Sequence, residues 1–211
     1  MRYLITGGGT GGHIYPALAC ASALYRVDPA AEILYVGTQR GLEAALVPRE
    51  GFAFKAIEAS GVRGKNPVEA ARGTFRAMKG LWQAYRITRE FRPDACLGTG
   101  GYVSGPVILA ACLQGVPCAI SDQNVVPGLT NRILSRLVRE VYLPFEDAAS
   151  YFPRGTRCIV TGNPVRPQIM SATRQGGAKA LGLDPGKPTV LIFGGSRGAK
   201  RIVEVALDMI E

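Results

Sequence analysis

Histidine is almost missing from this chain: His13 is the only one in 211 residues. The five cysteines (Cys20, Cys96, Cys112, Cys118 and Cys158) lack Cys-x-x-Cys spacing. No metal-ligand cluster emerges from such a set, and neither a metal nor another cofactor is expected. The thiols are odd in number and most lie in apolar runs, so they read as buried free thiols of a reducing cytoplasm. Long apolar runs are missing too. After Met1-Arg2 only Tyr3-Leu4-Ile5 is apolar before glycines begin, so no signal peptide is visible. No stretch approaches the roughly 18 apolar residues of a membrane span. The chain is therefore expected on the cytoplasmic side. Acidic residues are scarce, 16 against 25 lysines and arginines, for a net charge of +9. That excess is either a solubility device or a sign of an anionic partner: nucleic acid, a membrane surface or a phosphate-bearing substrate.

What is plentiful is glycine, 27 residues, in a chain that is 47% hydrophobic and 19% charged. That composition is globular, and the length suits one good-sized domain plus part of another. Short apolar runs predict strands at Tyr3–Thr6, Ile33–Val36, Ala53–Ile57, Ala95–Leu97, Cys118–Ile120, Val138–Leu143 and Cys158–Val160. Helical patterns fall between most of them, at about Tyr15–Arg26, Gly41–Val47, Pro67–Phe91, Val103–Gln114 and Leu129–Leu137. This alternation predicts an α/β fold with a parallel sheet covered on both faces. Ligands of such sheets bind where strand carboxyl ends meet helix N-termini. Proline and glycine cluster at Thr161-Gly162-Asn163-Pro164, which places a boundary after residue 162. Residues 163–211 then offer a short helical stretch, a loop at Leu183–Pro188, a strand at Val190–Phe193, a glycine loop and one helix. One strand and one long helix cannot cover a sheet face, so this part is expected to be a linker and the beginning of an incomplete second domain.

Three predicted strands run into glycine loops that open helices: Gly7-Gly8-Gly9-Thr10-Gly11-Gly12, Gly98-Thr99-Gly100-Gly101-Tyr102, and Gly194-Gly195-Ser196-Arg197-Gly198. Glycine lets the backbone approach an anion, and the free N–H groups of the following helix hold it. Tight strand–helix turns without a ligand would also use glycine. The first loop fits Gly-x-Gly-x-x-Gly through Gly7, Gly9 and Gly12, which raises the dinucleotide reading. That reading expects an acid at the end of the second strand. The strand ends Tyr35-Val36-Gly37-Thr38, and Glu32 lies at its other end. His13 follows the last glycine, and Pro16 suits a first helical turn, so His13 is placed at a helix entrance. The positive end of a helix disfavours added positive charge, which suits a general base. Ser121-Asp122-Gln123-Asn124 is either a capping cluster or a set of ligand-facing polar groups. Asn163-Pro164-Val165-Arg166 is either a linker turn or the carrier of a functional arginine.

Taken together, GGGTGGHIYPALA, GTGGYVSGP, DQNVVPGLTNR, VTGNPVR and FGGSRGA, in that order, resemble the MurG family of peptidoglycan glycosyltransferases. The resemblance spans the whole chain. It implies a GT-B fold of two Rossmann-like domains with a cleft between them, the first nearly whole here. It implies transfer of N-acetylglucosamine from UDP-GlcNAc to the C4 hydroxyl of N-acetylmuramic acid in lipid I, with inversion, giving lipid II. On that pattern Thr10, Gly11, Gly12, Asn124, Arg166 and Ser196 belong to the donor site. Gly8, Gly9, Gly100, Gly101 and Tyr102 would seat the acceptor diphosphate. His13 is the candidate catalytic base. Two positions depart from the family's pattern: Asp122, where glutamate is commoner, and Arg197, where glutamine is. Because part of the donor pocket would lie past Glu211, the chain alone is expected to bind UDP-GlcNAc weakly and to turn over little.

The positive charge concentrates in residues 62–92, which hold Arg63, Lys65, Arg72, Arg76, Lys79, Arg86, Arg89 and Arg92 against Glu69 and Glu90. Phe75, Met78, Trp82 and Tyr85 recur there at helical spacing. One reading packs these apolar residues on the sheet and leaves the cations in water. The other makes Phe75, Met78, Lys79, Trp82 and Arg86 an interfacial face for the anionic inner leaflet of the cell membrane, so that the protein sits peripherally on its cytoplasmic side. Nucleic acid is not the expected partner, since no aromatic platform or recognition helix accompanies the charge. The alternatives are a non-catalytic acceptor- or membrane-binding fragment, a related UDP-sugar transferase with another lipid acceptor, and an NAD-linked oxidoreductase.

Overall fold

A computed structural model describes residues 1–59, 67–194 and 199–209, with the backbone alone for residues 67–76. Two compact units are present, Met1–Arg166 and Pro167–Glu211. In the first, seven strands form one parallel sheet: β1 Arg2–Thr6, β2 Glu32–Thr38, β3 Ala53–Ile57, β4 Ala95–Gly98, β5 Cys118–Ser121, β6 Glu140–Leu143 and β7 Cys158–Val160. Their spatial order is β3-β2-β1-β4-β5-β6-β7. The continuous apolar runs of β1 and β2 are explained by burial on both faces. Leu4, Leu34 and Val36 face a core completed by helices α3 (Pro67–Phe91), α4 (Ser104–Leu113) and α5 (Leu129–Leu134). Ile5, Ile33 and Tyr35 face a second core with α1 (Gly11–Val27) and α2 (Glu43–Arg49).

The strand order reverses between β1 and β4. Chain β1-β2-β3 winds one way and β4 onward winds the other, so the loops leaving β1 and β4 diverge across a crevice. Such a switch point is where open parallel sheets accept ligands. Thr6, the last residue of β1, pairs with Val36 on one side and Gly98 on the other. The two glycine loops therefore leave the sheet side by side.

Several expectations shift. Helix α1 begins at Gly11, four residues before Tyr15, so His13 lies inside the first turn and Pro16 lies in the second. Pro16 has no N–H to give the Gly12 carbonyl, which loosens the start of the helix. Helix α5 ends at Leu134 instead of Leu137, and Val138 belongs to the turn after it, its N–H bonded to Leu134 O at 3.2 Å, not to β6. Only Cys96 and Cys118 are buried; Cys20, Cys112 and Cys158 are half-buried. Burial raises the Cys20 thiol to about 11.

In the second unit α6 (Pro167–Met170), α7 (Arg174–Leu181) and α8 (Lys200–Asp208) bury no residue. Thr173 caps α7 by accepting the Gly176 N–H at 3.1 Å, and Gly182 closes it with φ +67°. The predicted strand Val190–Phe193 is not one: the segment carries no regular structure, and Leu191 and Phe193 are each 73% exposed. A strand exists only through hydrogen bonds to a neighbour, and no described residue pairs with this segment.

Candidate functional site

The first two glycine loops are bound into one body. Gly8 N–H donates to Gly100 O at 3.3 Å. Thr99 N–H donates to Thr6 O at 2.9 Å, and its hydroxyl reaches His13 O at 2.7 Å. The Ser104 hydroxyl donates to Gly100 O at 2.7 Å. From below, the Tyr35 hydroxyl donates to Gly7 O at 2.7 Å. Burial and the nearby Glu43 carboxylate push the Tyr35 phenol far up, so it remains a donor. Glycine is required where the loops touch. A Cβ on Gly101, which has φ +80°, would run into the Gly8 backbone. A Cβ on Gly9 would stand 2.8 Å from the Tyr102 ring.

His13 sits at this junction. Its Nδ1 lies 3.2 Å from both Thr10 Oγ1 and Gly8 O. A carbonyl can only accept, so the bond to Gly8 O puts the proton on Nδ1 and leaves the Nε2 lone pair free. Nε2 faces Gly100, 3.1 Å from where that residue's Cβ would be. An imidazole held at Nδ1, with no hydrogen-bond partner at Nε2 among the described residues, is the arrangement a general base needs. Around it, the N–H groups of Thr10, Gly11, Gly12, Gly100, Gly101 and Tyr102 have no hydrogen-bond partner among the described residues, whereas those of Gly8 and Gly9 do. Helix α1 has no acid in its first turn, so its N-terminal field is uncancelled by its own side chains.

The polar stretch after β5 adjoins this centre. The buried Asp122 carboxylate accepts from Asn124 N–H at 3.0 Å, Asn124 Nδ2 at 3.3 Å, Gly128 N–H at 3.1 Å and Asn131 Nδ2 at 2.9 Å. The turn-ordering half of the expectation is what the contacts show: Asp122 orders the turn, and the exposed Asn124 is held by it. Asn131 was missed by sequence reasoning. Its Nδ2 lies 3.4 Å from the position of a Gly100 Cβ, and its buried Oδ1 has no partner among the described residues. Arg166 is drawn to the start of α1, its guanidinium 4.3 Å from the Tyr15 ring centre. The Tyr15 ring in turn packs on Gly11. An open cleft of about 710 Å³, lined by Thr38, Gln39, Arg40, Ile57, Glu58, Ala59 and Tyr102, extends the site over the ends of β2 and β3. Ser196 and the third glycine loop from Gly195 to Gly198 lie outside the described residues.

The basic helix α3 packs Leu81, Ile87 and Phe91 on the sheet's core but not the Met78 and Trp82 side chains. Ala84, Ile87 and Thr88 face inward, while Met78 and Trp82 are 66% and 58% exposed. Lys79 pairs with Glu58 at 2.6 Å and Arg86 with Glu90 at 3.5 Å, and Arg86 also lies over the Trp82 ring. The Phe75 side chain lies outside the described residues. No described helix is long and apolar enough to cross a membrane.

Residues 3–143 match the glycosyltransferase family 28 N-terminal domain. A Symbiobacterium thermophilum protein is 51% identical over 210 residues, all of this chain and 56% of the relative. A Thermoanaerobacter relative (strain X514) is 48% identical over 202 residues, 96% of this chain and 56% of its own. Both are named UDP-N-acetylglucosamine–N-acetylmuramyl-(pentapeptide) pyrophosphoryl-undecaprenol N-acetylglucosamine transferases. The chain thus spans little more than half the length of these relatives. Among solved structures, MurG of Acinetobacter baumannii superposes with a TM-score of 0.66 at 34% identity, over 78% of this chain and 46% of that one. Staphylococcus aureus MnaA, solved with UDP, shares the fold at 16% identity and a TM-score of 0.58, over 90% of this chain and 48% of its own.

Proposed function

The chain belongs to glycosyltransferase family 28, and from that premise we propose that it forms the acceptor-side half of an inverting enzyme. The reaction moves N-acetylglucosamine from UDP-GlcNAc to the C4 hydroxyl of N-acetylmuramic acid in lipid I. The observation that carries this reading is His13, held from Nδ1 with Nε2 open, at the junction of two interlocked glycine loops. In the step, His13 Nε2 takes the C4 hydroxyl proton, the C4 oxygen bonds to the anomeric carbon, and the bond from that carbon to the diphosphate oxygen breaks. UDP leaves. The unpartnered N–H groups of Thr10, Gly11 and Gly12 stabilise phosphate oxygens without reorganising, which is where such sites gain most. Asn124 and Arg166 complete the donor contacts of the first unit; Ser196 is assigned to the donor by the family pattern alone. Gly100, Gly101 and Tyr102 take the acceptor diphosphate together with the loop at Gly8 and Gly9, whose carbonyls and glycine backbone shape the seat even though their N–H groups are engaged elsewhere.

The test is a chimera joining this chain to the remaining residues of a full-length relative. His13→Ala should lower turnover by about 10²–10⁴-fold, the usual contribution of a side-chain base, with KM for UDP-GlcNAc little changed. Unchanged turnover removes His13 from the mechanism.

The acceptor's polyprenyl chain stays in the bilayer, so the enzyme has to reach the surface. Met78 and Trp82 supply an exposed apolar face, beside which Lys79 and Arg86, each paired with a glutamate, are the cations for the anionic inner leaflet; Phe75 is assigned to the same face by its helical spacing alone. Trp82→Ala should reduce co-sedimentation with anionic vesicles, and wild-type binding to neutral vesicles should be weaker. Equal binding to both would count against the leaflet role.

A further inference from the structure

Beneath the first glycine loop lies a carboxylate that the reaction above does not use. Glu43, the first residue of α2, is fully buried. Its Oε1 accepts from Thr38 N–H at 3.0 Å and from the Thr38 hydroxyl at 2.7 Å, and its Oε2 faces Gly9 N–H at 3.4 Å. No cation pairs with it among the described residues. A buried carboxylate without a counter-charge is costly, and an apolar side chain of the same size would generally serve stability better. The surroundings are nevertheless shaped for it. A Cβ on Gly8 would stand 2.5 Å from Glu43 Oε1, one on Gly37 would stand 2.5 Å from Glu43 Cγ, and one on Gly41 would collide with the carboxylate. Three glycines, one from the first loop and two from the stretch that runs from the end of β2 into α2, thus make room for one acid.

We propose that Glu43 is a positioning residue: it holds the Gly9 N–H from beneath, fixes the curve of the loop, and so determines that Thr10, Gly11 and Gly12 are the amides presented to a diphosphate. The assignment rests on the anion-facing reading of that loop. The negative charge also makes the underside of the loop hostile to phosphate, which leaves the start of α1 as the favourable approach. Tyr35 cannot substitute, because its hydroxyl holds Gly7 through the carbonyl and leaves the amides untouched.

The experiment uses the ¹⁵N-labelled 211-residue chain, with inorganic pyrophosphate as probe and amide exchange as an independent readout. Glu43→Gln keeps the shape but sets an N–H against the Gly9 N–H. Gly9 exchange should rise about tenfold while Gly115, in a remote turn, keeps its rate. Pyrophosphate affinity should fall about fivefold, the loss of one modest hydrogen-bonded constraint. Thr38→Val removes a donor to Glu43 without touching the loop and should shift both readouts in the same direction by less. Equal acceleration at Gly9 and Gly115 would reduce Glu43 to a stability role, and an unchanged Gly9 would overturn the proposal outright. If the wild-type chain fails to bind pyrophosphate, the anion reading falls, and Gly9 exchange alone decides the role of Glu43. Should Glu43→Gln not fold, Thr38→Val supports or overturns the proposal by the same two readouts.

Discussion

Two stretches of this molecule are written alike and built differently. Tyr3-Leu4-Ile5-Thr6 and Val190-Leu191-Ile192-Phe193 are both short apolar runs leading to glycines and then a helix. The first is the centre of a sheet: β1 pairs with β2 and β4, and Leu4 and Ile5 are wholly buried. The second has no partner among the described residues, and its side chains stand open. Apolar patterning states a willingness to be a strand; neighbours on both edges make it one. The same difference runs through the two units. The first has two cores, one on each face of its sheet, and the helices of the second bury nothing.

Equal truncations should separate the two runs most sharply. Leu4→Ala should destabilise the first unit by about 2–5 kcal/mol, as cavity-forming core substitutions do. Leu191→Ala should change stability by less than about 0.5 kcal/mol, as at exposed sites. Urea melts of both variants check this, and similar losses would dissolve the contrast. Glycine substitutions come next. Gly101→Ala meets a backbone oxygen at positive φ and should cost at least about 1–3 kcal/mol, with loss of pyrophosphate binding. Gly177→Ala, in α7 with nothing within 4 Å, should instead favour its helix by about 0.5–1 kcal/mol, seen as added ellipticity at 222 nm. The last effect concerns pH and is felt only in alkali. The raised Cys20 thiol stays neutral in the folded chain after an unfolded thiol has ionised, so its contribution to stability is whole below about pH 9 and fades as pH rises towards 11. Iodoacetamide labelling resolved by mass spectrometry should place the Cys20 midpoint near 11, and Cys20→Ala should flatten the alkaline loss.

Most of the first unit was legible because short apolar runs alternate with longer helix-like segments along the chain. The strands at Ala53–Ile57 and Cys158–Val160 and the helix at Pro67–Phe91 stand where their apolar spacing puts them. The start of α1 was not legible. Two glycines and a proline speak against a helix by propensity, yet contacts from the second loop, above all Thr99 to His13 O, hold that turn. The strand at Val190–Phe193 was misread for the opposite reason, since propensity was present and partners were not. The site was half visible. Glycine loops and a lone histidine signal themselves locally, and the crevice between β1 and β4 follows from the order of strands and helices. Glu43 gave no signal, because an acid in the first turn of a short helix is ordinary. Only the approach of Gly8 to Gly37, Gly41 and Glu43 points to the proposed role, and Gly8 joins that short stretch in space alone. Asn131 was hidden in the same way, as one polar residue in a capping stretch.

The contact between Gly101 and the Gly8 backbone also sets a limit on redesign. Each loop occupies space the other has vacated, so neither is an independent cassette. Transplanting the first onto another parallel sheet would carry nothing useful unless the second, with Thr99 and Ser104, came along. A library that varies one loop while fixing the other would be searching a space already closed by its partner. The two should be exchanged, recombined and inherited as a single part.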